Sequence, residues 1–144
     1  MSDRVEHNRR IIEEFRSSGG EVAEFAGTPL LLLTHTGARS GRTYTSPVAY
    51  LRDRDRYVVF AANGGRPQNP AWYHNLVAHP EAVVELGGET FPVTATLLDG
   101  DERERVWRAH VAVAPLFADL QSRTSRAIPV VALRRSDTLD SPVR

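Results

Sequence analysis

Two apolar, strand-like segments of the sequence each lead directly into a glycine-rich loop that contains arginine. Residues 30–33 precede the first loop, residues 36–42, and residues 57–60 precede the second, residues 63–69. Such loops expose backbone N–H groups and guanidinium groups, which bind phosphate and carboxylate well. Two loops of this kind in one small domain predict a large anionic ligand that contacts both, so the fold must bring the two strand ends together.

The hydropathy pattern predicts six strands and four helices. The strands are expected at residues 29–35, 43–51, 57–62, 82–86, 90–98 and 128–133, and the helices at residues 1–18, 70–78, 100–113 and 116–123. Asn69 is predicted to cap the second helix with Pro70 as its first residue. Pro47 is expected to place part of the second strand at an edge or a bulge.

The order of these elements predicts the fold class. Strands do not alternate regularly with helices, so a doubly wound parallel sheet is not expected. Turn signals at residues 53–55 and 87–89 favour hairpins, and hence an antiparallel sheet that closes into a barrel. We therefore expect a mainly β, α+β fold of about six mostly antiparallel strands with flanking helices. Residues 1–28 are expected to form a helix and linker, residues 29–134 the barrel domain, and residues 135–144 a flexible tail.

The residue types that are absent exclude several kinds of chemistry. The 144-residue chain has no cysteine, and all 18 of its basic residues are arginine. Disulfides, thiolate nucleophiles, cysteine-bound metals, Schiff bases and a Walker-type lysine are therefore excluded. No Gly-x-Ser-x-Gly segment is present, and the five histidines lack the spacing of a metal site. Any chemistry is expected to belong to a bound cofactor.

Charge and hydropathy also predict partners and location. The 18 acidic residues balance the 18 arginines, whereas a general nucleic-acid binder normally has a basic excess. No apolar run approaches a membrane span and the N-terminus has no apolar signal region, so a cytoplasmic protein is expected. The apolar stripe of the first helix is expected to be too narrow for deep burial. This helix is expected to cover a barrel mouth or to contact a partner, with at most weak contact with a membrane surface.

The candidate binding residues also have purely structural interpretations. Gly37 and Gly41 are compatible with an ordinary hairpin turn, whereas the hydroxyl of Ser40 and the two cations Arg39 and Arg42 favour an anion site. Trp72 is expected either in the core or as a wall of the ligand site, and aromatic residues at helical spacing more often belong to the core.

The two loops resemble signature segments of the deazaflavin-dependent nitroreductase family. Residues 34–41 (THTGARSG) resemble its TTGRxSG segment, and residues 63–80 (NGGRPQNPAWYHNLVAHP) resemble its GG…NPxWYxNLxANP signature. Residues 126–131 (RAIPVV) resemble its R-x-I-P-V final strand. The resemblance spans about residues 30–133. It implies a split β-barrel that binds coenzyme F420, with FMN as the alternative, and transfers hydride from the reduced deazaflavin to a small hydrophobic quinone or nitro compound.

The resemblance also assigns site residues by position. The first loop would hold the phosphate and polyglutamate tail, and the second strand, the end of the third strand and the start of the second helix would complete the cofactor site. The implied cofactor-binding residues are Ala38, Arg39, Ser40, Gly41, Arg42, Tyr44, Thr45, Ser46, Pro47, Val48, Ala49, Phe60, Ala61, Ala62, Asn63, Gly64, Ala71, Trp72, Tyr73, His74 and Asn75. The implied substrate-side residues are Ala114, Phe117 and Leu120, and no side chain is assigned as catalytic.

The chain departs from the family pattern where members often have basic residues, at Ala38, Tyr44 and Asn63. We expect Arg42 and Arg66 to compensate for these lost cations. Two alternatives stay open: a non-catalytic protein that binds or carries F420 or FMN on the same barrel, and an interaction domain whose loops are only turns. A homodimer is among the oligomeric states that the sequence leaves open.

Overall fold

The computed structural model describes residues 3–25 and 28–136. Its strands are β1 (Leu30–Thr36), β2 (Thr43–Asp53), β3 (Arg56–Phe60), β4 (Glu81–Leu86), β5 (Glu89–Leu97) and β6 (Val130–Arg135). Its helices are α1 (Asp3–Ser18), α2 (Ala71–Ala78), α3 (Gly100–Val113) and α4 (Leu116–Ser122), with short 3₁₀ turns at Ala23–Phe25 and Asn63–Gly65. The predicted order of six strands and four helices is confirmed.

The six strands form one closed barrel. Around the barrel they follow the order β1, β2, β3, β6, β5, β4, and β4 pairs back onto β1. All neighbouring pairs are antiparallel. Tight turns with positive φ at Arg54 and Gly87 join β2 to β3 and β4 to β5. The expected α+β fold, an antiparallel barrel with flanking helices, is confirmed.

Alternate residues of the strands fill the inside of the barrel, as the two-residue period of a β-strand requires. This core cluster includes Leu31, Leu33, Val59, Val84, Val93 and Leu133. α2 closes one end of the barrel, because Trp72 and Leu76 pack into the same cluster. Trp72 is 9% exposed, so the core interpretation of this residue is confirmed.

Helices cover two outer faces of the barrel. α3 and α4 cover β3 and β6, and α1 packs Ile11 and Phe15 against Leu30 and Leu32 of β1. β1 is therefore buried on both faces, which explains its uninterrupted run of leucines. The expectation of a shallow α1 over a barrel mouth is wrong, because Ile11 and Phe15 are 4% and 1% exposed against the barrel wall.

Some element boundaries differ from the prediction. Asn69 does not cap α2, since Pro70 occupies the cap position and the Asn69 side chain instead accepts a hydrogen bond from Arg126. β3 ends at Phe60, before Ala62, and β6 includes Arg135, which was expected in the tail. Tail residues 137–144 and linker residues 26–27 lie outside the described residues.

Candidate cofactor site

One edge of β2 has no strand partner near the first loop. β1 pairs with β2 along its whole length, with Thr36 opposite Thr43 at one end and Leu30 opposite Ala49 at the other. β3, in contrast, pairs with β2 only from Tyr50 onward. Residues 43–49 therefore have a strand neighbour on one side only. The edge position predicted for Pro47 is confirmed, and the backbone of this segment can accept a ligand alongside it.

The first loop is held closed by its own hydrogen bonds. The Gly37 N–H donates to the Arg42 carbonyl at 2.7 Å, and the Gly41 N–H donates to the Gly37 carbonyl at 3.0 Å. Ser40 Oγ accepts the Arg42 N–H at 3.1 Å and lies 3.0 Å from the Tyr44 hydroxyl. The Ser40 hydroxyl thus shapes the loop, and Arg39 and Arg42 are exposed to solvent.

Asn75 joins the two sequence motifs through direct hydrogen bonds. Its Oδ1 accepts the Ala38 N–H of the first loop at 2.8 Å, and its Nδ2 donates to Nδ1 of His35 at 2.9 Å. His35 Nε2 then donates to Ser46 Oγ at 3.0 Å. The two motifs therefore meet at the barrel end that α2 closes, as a shared ligand requires.

This hydrogen-bond pattern requires a neutral His35. Because the Asn75 amide donates to Nδ1, the ring proton resides on Nε2 and is donated to Ser46. His35 is 3% exposed, and desolvation by burial lowers its pKa to about 4. The ring therefore positions Asn75 and β2 without adding a charge under the first loop.

The second loop is organised by Arg126, which lies far along the chain. Its Nε, Nη1 and Nη2 atoms make five hydrogen bonds of 2.7–3.2 Å. The acceptors are the carbonyls of Ala61, Ala62, Arg66 and Gln68 and the Oδ1 of Asn69. All five N–H donors of the guanidinium are thus used on the second loop and the two residues before it. The sequence motif RAIPVV included Arg126, but sequence reasoning did not place it in the site.

The two loops contain arginines without an acidic partner. Arg39, Arg42 and Arg66 are exposed, and none of them forms a salt bridge within the part of the chain that the structure describes. Elsewhere on the barrel, Arg56 pairs with Asp53 at 2.9 Å. Uncompensated cations beside exposed backbone N–H groups attract anionic ligands.

A family model described as F420H(2)-dependent quinone reductase matches residues 7–135. The chain belongs to this family. The match confirms the resemblance to F420-dependent reductases that the two loop motifs indicated.

Relatives of known name agree with this family assignment. An F420H(2)-dependent quinone reductase of Mycobacterium tuberculosis (strain ATCC 25618 / H37Rv) is 38% identical over 126 residues, covering 84% of this chain and 85% of that protein. A solved F420-H2 dependent reductase is 37% identical with a TM-score of 0.68, covering 74% of this chain and 94% of that one. A solved structure described as a domain-swapped dimer has the same identity and TM-score, covering 74% and 80% of the two chains.

The groups around the loops fit the cofactor of the F420H(2)-dependent quinone reductase family. An anionic tail needs cations and N–H donors, and the first loop presents Arg39 and Arg42 beside its backbone. A flat ring needs a surface on which to lie, and along the unpaired edge of β2 residues 43–44 are exposed and residues 45–47 are half-buried. Across the described residues, no group of three or more histidines and carboxylates could hold a metal ion, and no helix is long and apolar enough to cross a bilayer.

The other implied cofactor residues differ in exposure. Ala71 and His74 are exposed at the start of α2, and Tyr73 is half-buried. Several of the implied residues are buried in the core, namely Val48, Phe60, Ala61, Ala62 and Trp72. Asn63 donates to the Gln68 carbonyl at 2.8 Å within the second loop, and Thr45 bonds Thr34 across β1 and β2 at 2.9 Å.

The implied substrate-side residues lie on α4 and just before it, against the second loop. The Phe117 ring lies 5.8 Å from that of Phe60, and the backbone of Leu120 lies close to Gly65. Ala114 is half-buried at the end of α3. These residues therefore border the same barrel end as the loops.

His110 is a buried histidine that sequence reasoning left without a role. It is 3% exposed, and neither ring nitrogen has a hydrogen-bond partner within the described chain. The ring stacks on Phe60 at 3.9 Å and meets Phe117 at 4.3 Å. Desolvation by burial lowers the pKa of His110 to about 4, so the ring is neutral at pH 7.

Gly37→Ala is expected to lower the free energy of unfolding by about 1–3 kcal/mol, the usual cost of overpacking. A Cβ at Gly37 would overlap Ser40 Oγ and lie 2.9 Å from Tyr44 Cε2, so both side chains would have to move and the hydrogen bonds of Ser40 Oγ within the first loop would be lost. Urea denaturation measures the change. Gly88→Ala is the matched control, because a Cβ there meets nothing within 4 Å and the backbone has no positive φ. Equal stability of the two variants would contradict the prediction.

Proposed function

We propose that the protein is an F420H2-dependent oxidoreductase that passes a hydride to a small hydrophobic acceptor, a quinone or a nitro compound. The observation that carries the proposal is the hydrogen bond from the Ala38 N–H to Asn75 Oδ1, 2.8 Å long. It joins the two family motifs into one surface. That surface combines N–H donors, the unpaired cations Arg39 and Arg42, and an accessible edge of β2.

The roles of the protein groups follow from this arrangement. Arg39 and Arg42 bind the anionic tail of the cofactor, and the Asn75–His35–Ser46 chain of hydrogen bonds holds the first loop over β2. Arg126 keeps the second loop in a single shape. When bound, reduced F420 supplies the hydride, so the protein needs no nucleophile or metal. Its contribution is to hold donor and acceptor in contact, which accounts for much of the catalysis of such a transfer.

The double variant Arg39→Ala/Arg42→Ala is expected to weaken F420 binding by about a hundredfold, because each lost charge-assisted contact costs about tenfold or more. Cofactor fluorescence at low salt measures the dissociation constant. Arg108→Ala, which removes an exposed arginine of α3, is the control and is expected to bind F420 with wild-type affinity. Binding of the wild type should also weaken as salt is added. Unchanged affinity in the double variant would overturn the tail assignment.

Turnover separates the proposed reductase from its alternatives. Reduced F420 is mixed with the protein and a panel of quinones and nitroaromatic compounds, and its reoxidation is followed by absorbance. Oxidation above the protein-free rate supports the reductase. Tight binding without turnover on any acceptor indicates a carrier protein, and a protein that is yellow as purified indicates FMN. No binding of F420 at micromolar concentration refutes the proposal.

A further inference from the structure

An apolar groove lies beside α2, at the barrel end that carries the two loops. Its volume is about 290 Å³. Its walls include Tyr73, Leu76, Val77 and Pro80 on the α2 side and Leu97 and Val131 on the barrel side. None of the described residues that line it is charged. A larger cavity of about 460 Å³ lies elsewhere, near Gly20, Tyr50 and Gly87, and contains none of the implied site residues.

The groove is a built feature of the fold. Leu76 and Val131, at 3% and 4% exposed, form its floor, and the Ala95 N–H donates to the Pro80 carbonyl at 2.9 Å beside it. Its rim is apolar and open to solvent, since Val77 is 63% exposed and Leu97 is 52% exposed. Apolar surface at a concave site favours an apolar ligand by removing that surface from water.

The groove is continuous with the proposed cofactor site through α2. Tyr73 belongs both to the residues implied for the cofactor and to the wall of the groove. Val77 lies one helical turn beyond Tyr73, about 6 Å along the axis at 1.5 Å per residue. A ligand that reacts near the start of α2 can therefore extend an apolar substituent along the helix and over Leu97.

We propose that this groove binds the apolar side chain of the acceptor, such as the prenyl chain of a substituted quinone. Val77 and Leu97 then determine the preference for acceptors that have such a chain over those that lack it. A groove of about 290 Å³ is just below the range for whole-ligand pockets, roughly 300–1,000 Å³, and so suits one part of a molecule. The inference rests on the proposed function, because the reacting ring of the acceptor must lie at the cofactor.

The test compares menadione with a menadione analogue that carries a geranyl chain. The ratio of their kcat/KM values is measured with reduced F420 for the wild type and for Leu97→Glu and Val77→Glu. A carboxylate on the rim should lower the preference for the geranyl compound by about tenfold, the effect expected for losing a methylene-sized contact in an apolar pocket. Val83→Glu is the control, because Val83 is 37% exposed on β4 outside the groove, and its ratio should equal that of the wild type.

A second measurement needs neither cofactor nor turnover. Geraniol is titrated into the free protein, and amide NMR shifts are expected at Val77 and Leu97 but not at Val83. If quinones are reduced but the preference is the same in all variants, the groove assignment fails while the proposed function stands. If neither quinones nor nitro compounds are reduced, the proposed function fails, and the geraniol titration alone decides the groove, with absent shifts overturning it. A change of the wild-type oligomeric state in Leu97→Glu would assign the groove to a second copy and also overturn the proposal.

Discussion

Arg126→Met is expected to lower the free energy of unfolding by about 3 kcal/mol and to weaken F420 binding by about a hundredfold. The guanidinium donates to four backbone carbonyls and one side-chain oxygen in the second loop and the two residues before it, and methionine replaces none of these bonds. Burial lowers the pKa of Arg126, and none of its five acceptors is a carboxylate. The residue therefore stabilises the loop through hydrogen bonds to neutral acceptors.

Urea denaturation measures the loss of stability, and cofactor fluorescence measures the loss of affinity. Arg126→Lys should give an intermediate result, because an ammonium has at most three donors and no planar fork. Arg108→Met removes an exposed arginine from α3 and is the matched control, with an expected change within about 0.5 kcal/mol. If Arg126→Met bound F420 like the wild type, the second loop would not need its anchor, and its part in the cofactor site would have to be abandoned.

The free energy of unfolding is expected to rise as the pH increases from about 4 to about 6.5, and to level off above that. Burial lowers the pKa values of His35 and His110 from 6.5 to about 4. Within this interval the unfolded chain binds more protons than the folded one, so stability increases with pH. The shift corresponds to at most about 3 kcal/mol for each histidine. Urea denaturation at a series of pH values measures the slope.

His110→Leu separates the two histidines. It should remove about half of the slope between pH 4 and 6.5 and should raise stability at pH 5, because the ring nitrogens of His110 have no hydrogen-bond partner to lose. His35→Leu should instead reduce stability at pH 7, since it leaves Asn75 and Ser46 without their shared partner. The pKa of Asp53 is lowered mainly by a hydrogen bond from Arg105. Its titration therefore changes the free energy of unfolding only below about pH 3.8, outside this interval. A slope that is unchanged in His110→Leu would contradict the assignment.

The family motifs made much of the site predictable. The TGARSG and NPAWYHN segments each follow a strand, and the structure places them together at one barrel end. The assignment of individual residues to the cofactor and the acceptor stays a prediction, as do the domain limits and the homodimer. Trp72 shows the limit of a motif, because its side chain lies in the barrel core even though the motif that contains it borders the site.

The amino-acid sequence by itself determined the elements and their local chemistry. Alternating apolar residues specify the strands, glycine permits the tight turn at Gly87, and the absence of cysteine and lysine restricts the reactions. These properties depend on residues that are near each other in the chain. The continuous leucine run of β1 is likewise a local signal, typical of a buried strand.

Only the tertiary structure decided which distant groups meet. Ala38 and Asn75 are joined by a hydrogen bond across 37 positions of the chain, and Arg126 reaches Ala61 across 65. Arg126 also donates to the Asn69 side chain, which therefore does not cap α2 as its local sequence favours. Barrel closure brings these groups together, because strand pairing, and not distance along the chain, sets which ends of the elements are neighbours.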